Sequence, residues 1–298
     1  MTWQAVANKD FQDAIRSRWL WGLSILFVIL IAGSAYFFTR GDTQDVTTDS
    51  FIGLFGQIGG LLVPLVAIVI AYAAIIGERE SGTIKLLLSL PHSRQDVVLG
   101  KFIGRSAVIT LPVLLGFAIA AVVFLIAGIT FKLANFLAFT VLTASLGVVF
   151  VGIAIGFSAG APSQRRAMIG SVGVYVLFTL FWQYLRRGVI NILTEAGKQV
   201  PGLSEPSNAT LVNASLLAKF LNPVRAYETL AATLYAQDTI GARLYGTSNP
   251  ILAQLARQQL QDNLPFYLTD PFIVAVLVVW LVIPPVVGYL LFTDSDLT

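Results

Sequence analysis

Six long stretches of this chain carry no charged residue: Trp19–Phe38, Phe51–Ile76, Ser106–Gly128, Leu133–Ala159, Met168–Leu185 and Phe272–Phe292. A bilayer core takes roughly 20 apolar residues in helical form, so each run is long enough to cross one. Lipid offers the backbone no hydrogen-bond partner, and a lone spanning run must therefore satisfy its own N–H and C=O groups as a helix. A β-barrel would need alternating segments of roughly ten residues, and these runs do not alternate. The composition agrees, with 56% hydrophobic and 12% charged residues where a soluble domain has about a quarter charged. The expected fold is an all-α membrane protein of six spanning helices.

Charge between the runs sets the expected orientation, because Lys and Arg collect in short cytoplasmic segments. Lys9, Arg16 and Arg18 precede span 1; Arg79, Lys85, Arg94, Lys101 and Arg105 separate spans 2 and 3; Arg165 and Arg166 separate spans 4 and 5. The other side has Arg40, outweighed by Asp42, Asp45 and Asp49, and Lys132. Ten basic residues against two place both termini in the cytoplasm of a multi-pass cell-membrane protein. Segment 186–271 is outside this count, since long segments translocate largely regardless of charge. The net charge of +3 is dispersed through loops, which fits a bilayer as partner and excludes a nucleic-acid footprint. With no Cys, one His (His92) and two Met (Met1, Met168), no soft-metal ligand set is expected.

Four pieces follow. Residues 1–18 mix Lys9, Asp10, Asp13 and Arg16 with an apolar stripe of Phe11, Ala14 and Ile15, which predicts an interfacial helix. Residues 19–185 hold spans 1–5 with a cytoplasmic loop at 77–105. Residues 186–271 form an extracytoplasmic segment, and 272–298 hold span 6 and a short tail.

The 77–105 loop carries the most information. Gly77 and the triplet Glu78-Arg79-Glu80 end span 2, Ser81 or Thr83 can cap a new helix, and Ile84, Leu87 and Leu88 fall on one face before Pro91 stops it. Such a two-turn helix is unstable alone in water and must dock on its own bundle or on a partner. Ser93 and Asp96 then form a capping-box pattern for a helix running through Lys101 and Arg105 into span 3.

Glu78-Arg79-Glu80-Ser81-Gly82-Thr83, the leucine run to Pro91, Ser93-Arg94 and Gly100-Lys101 together resemble the loop of ABC-2 type transporter permeases. Within that family they are similar to the branch that serves nitrous-oxide-reductase maturation. The resemblance covers most of the chain outside 186–271. It implies a six-helix permease bundle with a coupling helix that inserts into a separate ATP-binding-cassette ATPase subunit, and a second copy of this or a similar permease. Glu78, Arg79, Glu80, Gly82, Thr83, Ile84, Lys85, Leu87, Leu88, Arg94 and Lys101 would form the ATPase-coupling interface. The chain itself is not expected to be an enzyme. It has no G-x-x-x-x-G-K-[ST] phosphate loop, so ATP and Mg would sit on the partner and no cofactor on this chain.

Inside the runs no ionisable residue occurs, which disfavours an ion-coupled secondary carrier; Gln57, Thr140, Thr143, Ser145, Thr179 and Gln183 are the polar candidates. Gly56 and Gly60 in span 2, and Gly152, Gly156 and Gly160 in span 4, suit close helix packing, within the chain or in a dimer seam. Pro64, Pro112 and Pro284-Pro285 should kink their helices. Gly156-Phe157-Ser158-Ala159-Gly160 matches a hydrolase nucleophile pattern, but that motif needs a strand-to-helix elbow with a His and an acid at hand. In segment 186–271, Asn222-Pro223 predicts a helix start with Tyr227, Leu230, Ala231 and Leu234 on one face. Further helices are expected at Thr210–Leu221 and Ile251–Asp262, forming a lid seated on the membrane face, and Asn208 and Asn213 head glycosylation sequons. The function expected is ATP-driven movement of a substrate, in the direction of export; the alternatives are a stand-alone carrier or channel, and a membrane scaffold.

Overall fold

The computed structural model describes residues 3–40, 47–83, 93–199, 204–236, 238–245, 250–260 and 264–293. Its helices are α1 (Trp3–Arg16), α2 (Arg18–Phe38), α3 (Thr48–Ala71), α4 (Ile76–Glu80), α5 (Arg94–Ile126), α6 (Leu133–Gly160) and α7 (Gln164–Val176). They continue with α8 (Trp182–Gln199), α9 (Asn208–Phe220), α10 (Pro223–Tyr235), α11 (Thr239–Leu244), α12 (Pro250–Leu260) and α13 (Asp270–Thr293). Among the described residues there is no strand, and six helical stretches are long and apolar enough to cross a membrane. The all-α six-span expectation holds.

Helix α6 lies at the centre, packed on α3, α5, α7, α10 and α13. It is apolar around its whole circumference, as a helix enclosed by other helices must be. Gly152, Gly156 and Gly160 turn towards α13. A Cβ at Gly156 would fall 2.6 Å from the Pro284 carbonyl oxygen, and one at Gly160 would fall 2.7 Å from Leu291. Gly288 of α13 approaches Gly156 just as closely. This glycine stripe is therefore an intramolecular seam between spans 4 and 6. Gly56 and Gly60 face α10, where Ala231 and Glu228 take up the space.

Two boundaries differ from the sequence reading. Span 2 does not run unbroken into the charged triplet: α3 ends at Ala71, a turn covers 72–75, and Glu78-Arg79-Glu80 sits in the separate helix α4. Buried Ser158 holds this break, its Oγ accepting from the N–H groups of Ile75 (3.0 Å) and Ile76 (3.1 Å). The serine of the hydrolase-like pattern is thus a backbone acceptor inside the bundle. Span 5 continues past Leu185 to Gln199, through a π-helical turn at Leu177–Phe181.

The long segment is not only a lid on the membrane face. Helices α9 and α10 form a hairpin that enters the bundle, with Asn222-Pro223 at its tip. Gly53 of α3 lies against Tyr235 and Gly60 against Val224 and Glu228, so α10 runs antiparallel to α3 with its first turn deepest. At 1.5 Å per residue, Gly60 is about 18 Å along α3 from Thr48. Three bonds hold the tip: Asn222 Nδ2 to the Phe178 carbonyl (2.7 Å), Trp182 Nε1 to that of Ala218 (2.9 Å) and Trp280 Nε1 to that of Leu221 (2.8 Å). Asn222 also caps α10 as expected, its side chain accepting from Val224 and Arg225.

Candidate functional site

Buried ion pairs converge where α1, α4 and α5 meet. Helix α1 lies along the start of α5, close enough that a Cβ on Gly100 would fall 2.6 Å from Val6 and one on Gly104 would fall 2.9 Å from Asp10. The buried face of α1 is Val6, Ala7, Asp10 and Ala14, which corrects the expected stripe: Ile15 is exposed and Phe11 half-buried. Asp10 accordingly enters the interior. Lys101, 2% exposed, bonds Glu78 at 2.7 Å and Asp10 at 3.3 Å. Arg105 donates to Asp10 Oδ1 at 3.2 Å and to the Ile70 carbonyl at 3.2 Å. Its Nε lies 3.0 Å from Asp10 Oδ2, at an angle too poor for a hydrogen bond. Two carboxylates and two cations balance, and removing one partner of such a buried pair costs about 3–5 kcal/mol.

The other residues of the triplet reach elsewhere. Arg79 donates to the Ala161 carbonyl (3.3 Å), and Glu80 Oε1 accepts from the Gln164 N–H (2.8 Å) at the start of α7. One turn of helix thus ties α1 and α5 on one side to the α6–α7 connection on the other. Gly82 follows with φ +75°, the left-handed region that favours glycine, and the Thr83 hydroxyl bonds that of Ser81. Arg94 donates to the carbonyls of Phe292 and Thr293 at the end of α13. The Ser93–Asp96 capping box is present, and Asp96 also accepts from the Trp3 N–H. Ile84, Lys85, Leu87 and Leu88 lie outside the described residues. Of the residues expected at a coupling interface, Lys101 is interior and Glu78 turns inward towards it. Asp10 and Arg105 were missed, although Val6-Asp10-Ala14 and Lys101-Arg105 each carry the four-residue spacing that puts side chains on one helix face.

A second polar region lies about halfway along α3, away from the joint. A cavity of about 590 Å³ is lined by Gln57, Ile58, Gly60 and Leu61 of α3, Thr179 of the π turn, Val224, Arg225 and Glu228 of α10, and Tyr245. Arg225 bonds Glu228 at 2.7 Å. The six runs carry no charge at this depth, as the sequence shows, but the hairpin from outside them delivers two charged side chains to it. Near Arg225 and Glu228, but outside the cavity lining, lie buried Arg186, Lys219 and Arg243. Lys219 donates to the carbonyls of Arg243 (2.8 Å) and Tyr245 (2.6 Å). Burial lowers its pKa to about 7, with Glu228 opposing the shift and Arg186, Arg225 and Arg243 adding to it. Among the described residues no group of three His, Cys, Asp or Glu side chains could hold a metal.

A six-span bundle with an entering hairpin and a charged joint between its first amphipathic helix and spans 2 and 3 defines a polytopic all-α membrane protein. The family described as ABC-2 family transporter protein matches residues 4–297, and the chain belongs to it: it is an ABC-2 type ABC transporter permease subunit. Curated relatives bear the name "Probable ABC transporter permease protein NosY". That of Stutzerimonas stutzeri is 33% identical over 204 residues, 66% of this chain and 73% of the relative. That of Pseudomonas aeruginosa is 32% identical over 183 residues, 59% of this chain and 66% of the relative.

Proposed function

We propose that two copies of this permease, or one with a similar chain, assemble with two ATP-binding-cassette ATPase subunits in the cell membrane to export a substrate. Both termini lie in the cytoplasm, and ATP and Mg belong to the ATPase. The 77–105 loop is the docking element, with Ile84–Leu90 inserted into the ATPase. The observation that carries this reading is the distribution of the charged triplet: Glu78 engages α5 and, through Lys101, α1, while Arg79 and Glu80 engage the α6–α7 connection. A push on the docking helix reaches α4 first, and through these bonds it reaches spans 2, 3, 4 and 5 together. Glu78, Arg79, Glu80 and Lys101 act as transmitting residues behind the contact surface, with Gly82 and Thr83 shaping the turn between the two.

The test is co-purification from gently solubilised membranes. The tagged permease should bring down an ATPase in about equal amount, and Leu87→Asp should abolish that recovery while the permease still inserts. Full ATPase recovery with Leu87→Asp would overturn the docking assignment. Recovery of the wild-type chain alone, under conditions that preserve other complexes, would shift the reading to a stand-alone carrier.

A further inference from the structure

We propose that the groove between spans 5 and 6 holds one acyl chain of an anionic phospholipid, with the lipid phosphate on Arg166. The groove measures about 630 Å³, and α6 forms its floor at Gly156, Phe157 and Gly160. One wall is α7 with the π turn, and the other is α13 at Pro284, Val287 and Leu291. Val287 and Leu291 are exposed, so the groove opens sideways to the bilayer. Arg166 is the one charged side chain in its lining.

The length of the groove matches one leaflet. Its far end is closed by an aromatic cluster, with the Phe178 ring 5.3 Å from that of Trp182 and 5.1 Å from that of Trp280. Both indole N–H groups are already spent on hairpin carbonyls, so this end presents only apolar ring surface. Arg166 marks the near end, twelve residues before Phe178. At 1.5 Å per residue that is about 18 Å, close to half of a hydrocarbon core of about 30 Å. A chain laid from the level of Arg166 therefore meets the rings near the middle of the membrane.

Charge at the near end selects the headgroup. Arg166 is exposed, and its guanidinium has no hydrogen bond or ion pair among the described residues. Arg165 beside it is exposed as well, and Arg79 donates to the carbonyl of Ala161, a lining residue. Glu80 is the carboxylate at this end, and it accepts from the Gln164 N–H. Three cations against one carboxylate favour an anionic headgroup at the mouth. Two other apolar grooves, one between α2 and α5 and one between α6 and the first half of α13, have no charged side chain in their lining. Those fit any lipid chain, whereas this one distinguishes headgroups.

Trp182 and Trp280 line the groove and report on its occupant. In the full-length permease with Trp3, Trp19 and Trp21 replaced by Phe, they are the remaining tryptophans. The protein is placed in phosphatidylcholine nanodiscs, without nucleotide, with rising fractions of phosphatidylglycerol or phosphatidylcholine brominated in the second half of one chain. Brominated phosphatidylglycerol should quench at about fivefold lower mole fraction, the effect of one cation near an anionic lipid. Arg166→Gln should bring the two curves together, and Arg16→Gln, outside the groove, should leave them apart. Equal quenching by the two lipids would mean ordinary annular lipid and overturn the proposal, as would a preference that survives Arg166→Gln. The unsubstituted permease supplies a second reading: native mass spectrometry should show one retained phosphatidylglycerol per chain, lost in Arg166→Gln, and undiminished retention would also overturn the site. No ATPase enters either measurement, so the outcome is independent of the coupling reading.

Discussion

The two charged regions of this protein are built on opposite plans. Where α1, α4 and α5 meet, Asp10 and Glu78 are matched by Lys101 and Arg105 within hydrogen-bond reach. Around the hairpin, Arg225 pairs with Glu228 and Arg243 with Asp270, each pair having one partly exposed member, and buried Lys219 is spent on two backbone carbonyls. A buried network of matched carboxylates and cations fixes helices relative to one another. The first therefore behaves as a buried joint, while the second is a set of partly exposed pairs, and the contrast can be tested by substitution.

The largest effect is expected at the joint. Lys101→Met leaves Asp10 with Arg105 alone and strands Glu78, at a cost of about 3–5 kcal/mol. The thermal midpoint of the solubilised protein should fall sharply or the folded species should be lost from size exclusion. A midpoint unchanged from wild type would break the comparison at its stronger end. Ser158→Ala comes next, because it removes the acceptor for two buried backbone N–H groups and should cost about 1–3 kcal/mol. A wild-type midpoint in this variant would mean that the turn at 72–75 is held by packing alone.

At the hairpin the same kind of change should do little to stability. Arg225→Gln leaves Glu228 without its partner, but the pair is partly exposed and contributes no more than about 1 kcal/mol. A loss as large as that of Lys101→Met would make the cluster a second joint. The smallest effect is on pH dependence. Lys219 has a folded pKa of about 7 against 10.5 for the free side chain, so between these values the unfolded chain holds a proton that the folded one has released. Stability should then rise with pH above about 7. Subtracting the Lys219→Met profile from wild type isolates this slope; identical profiles would show that Lys219 keeps its ordinary pKa.

Legibility in the sequence followed the range of the interactions involved. The Ser93–Asp96 box and the Asn222-Pro223 start are local chemistry, and both appear where the residues place them. The face of α1 was misjudged because Asp10 looks like a surface residue until Lys101 and Arg105 are seen to cover it. Span 5 was ended at Leu185 because charge follows, yet the helix continues to Gln199 with Arg186 buried beneath it. Ser158 gave no usable signal, since its acceptor role depends on a turn 82 residues away.

By itself, the sequence determined that this chain is a membrane protein with six helical crossings and that the triplet Glu78-Arg79-Glu80 sits at the base of a loop. Those properties follow from hydrophobic length and from neighbouring residues, and they are the same in any packing of the helices. Only the tertiary structure decided which charges are interior, that the glycine stripe of α6 is spent on α13, and that the segment after span 5 turns back into the bundle. Each of these depends on groups far apart in the chain meeting in a low-dielectric interior, where the energy of a charge is set by its neighbours in space.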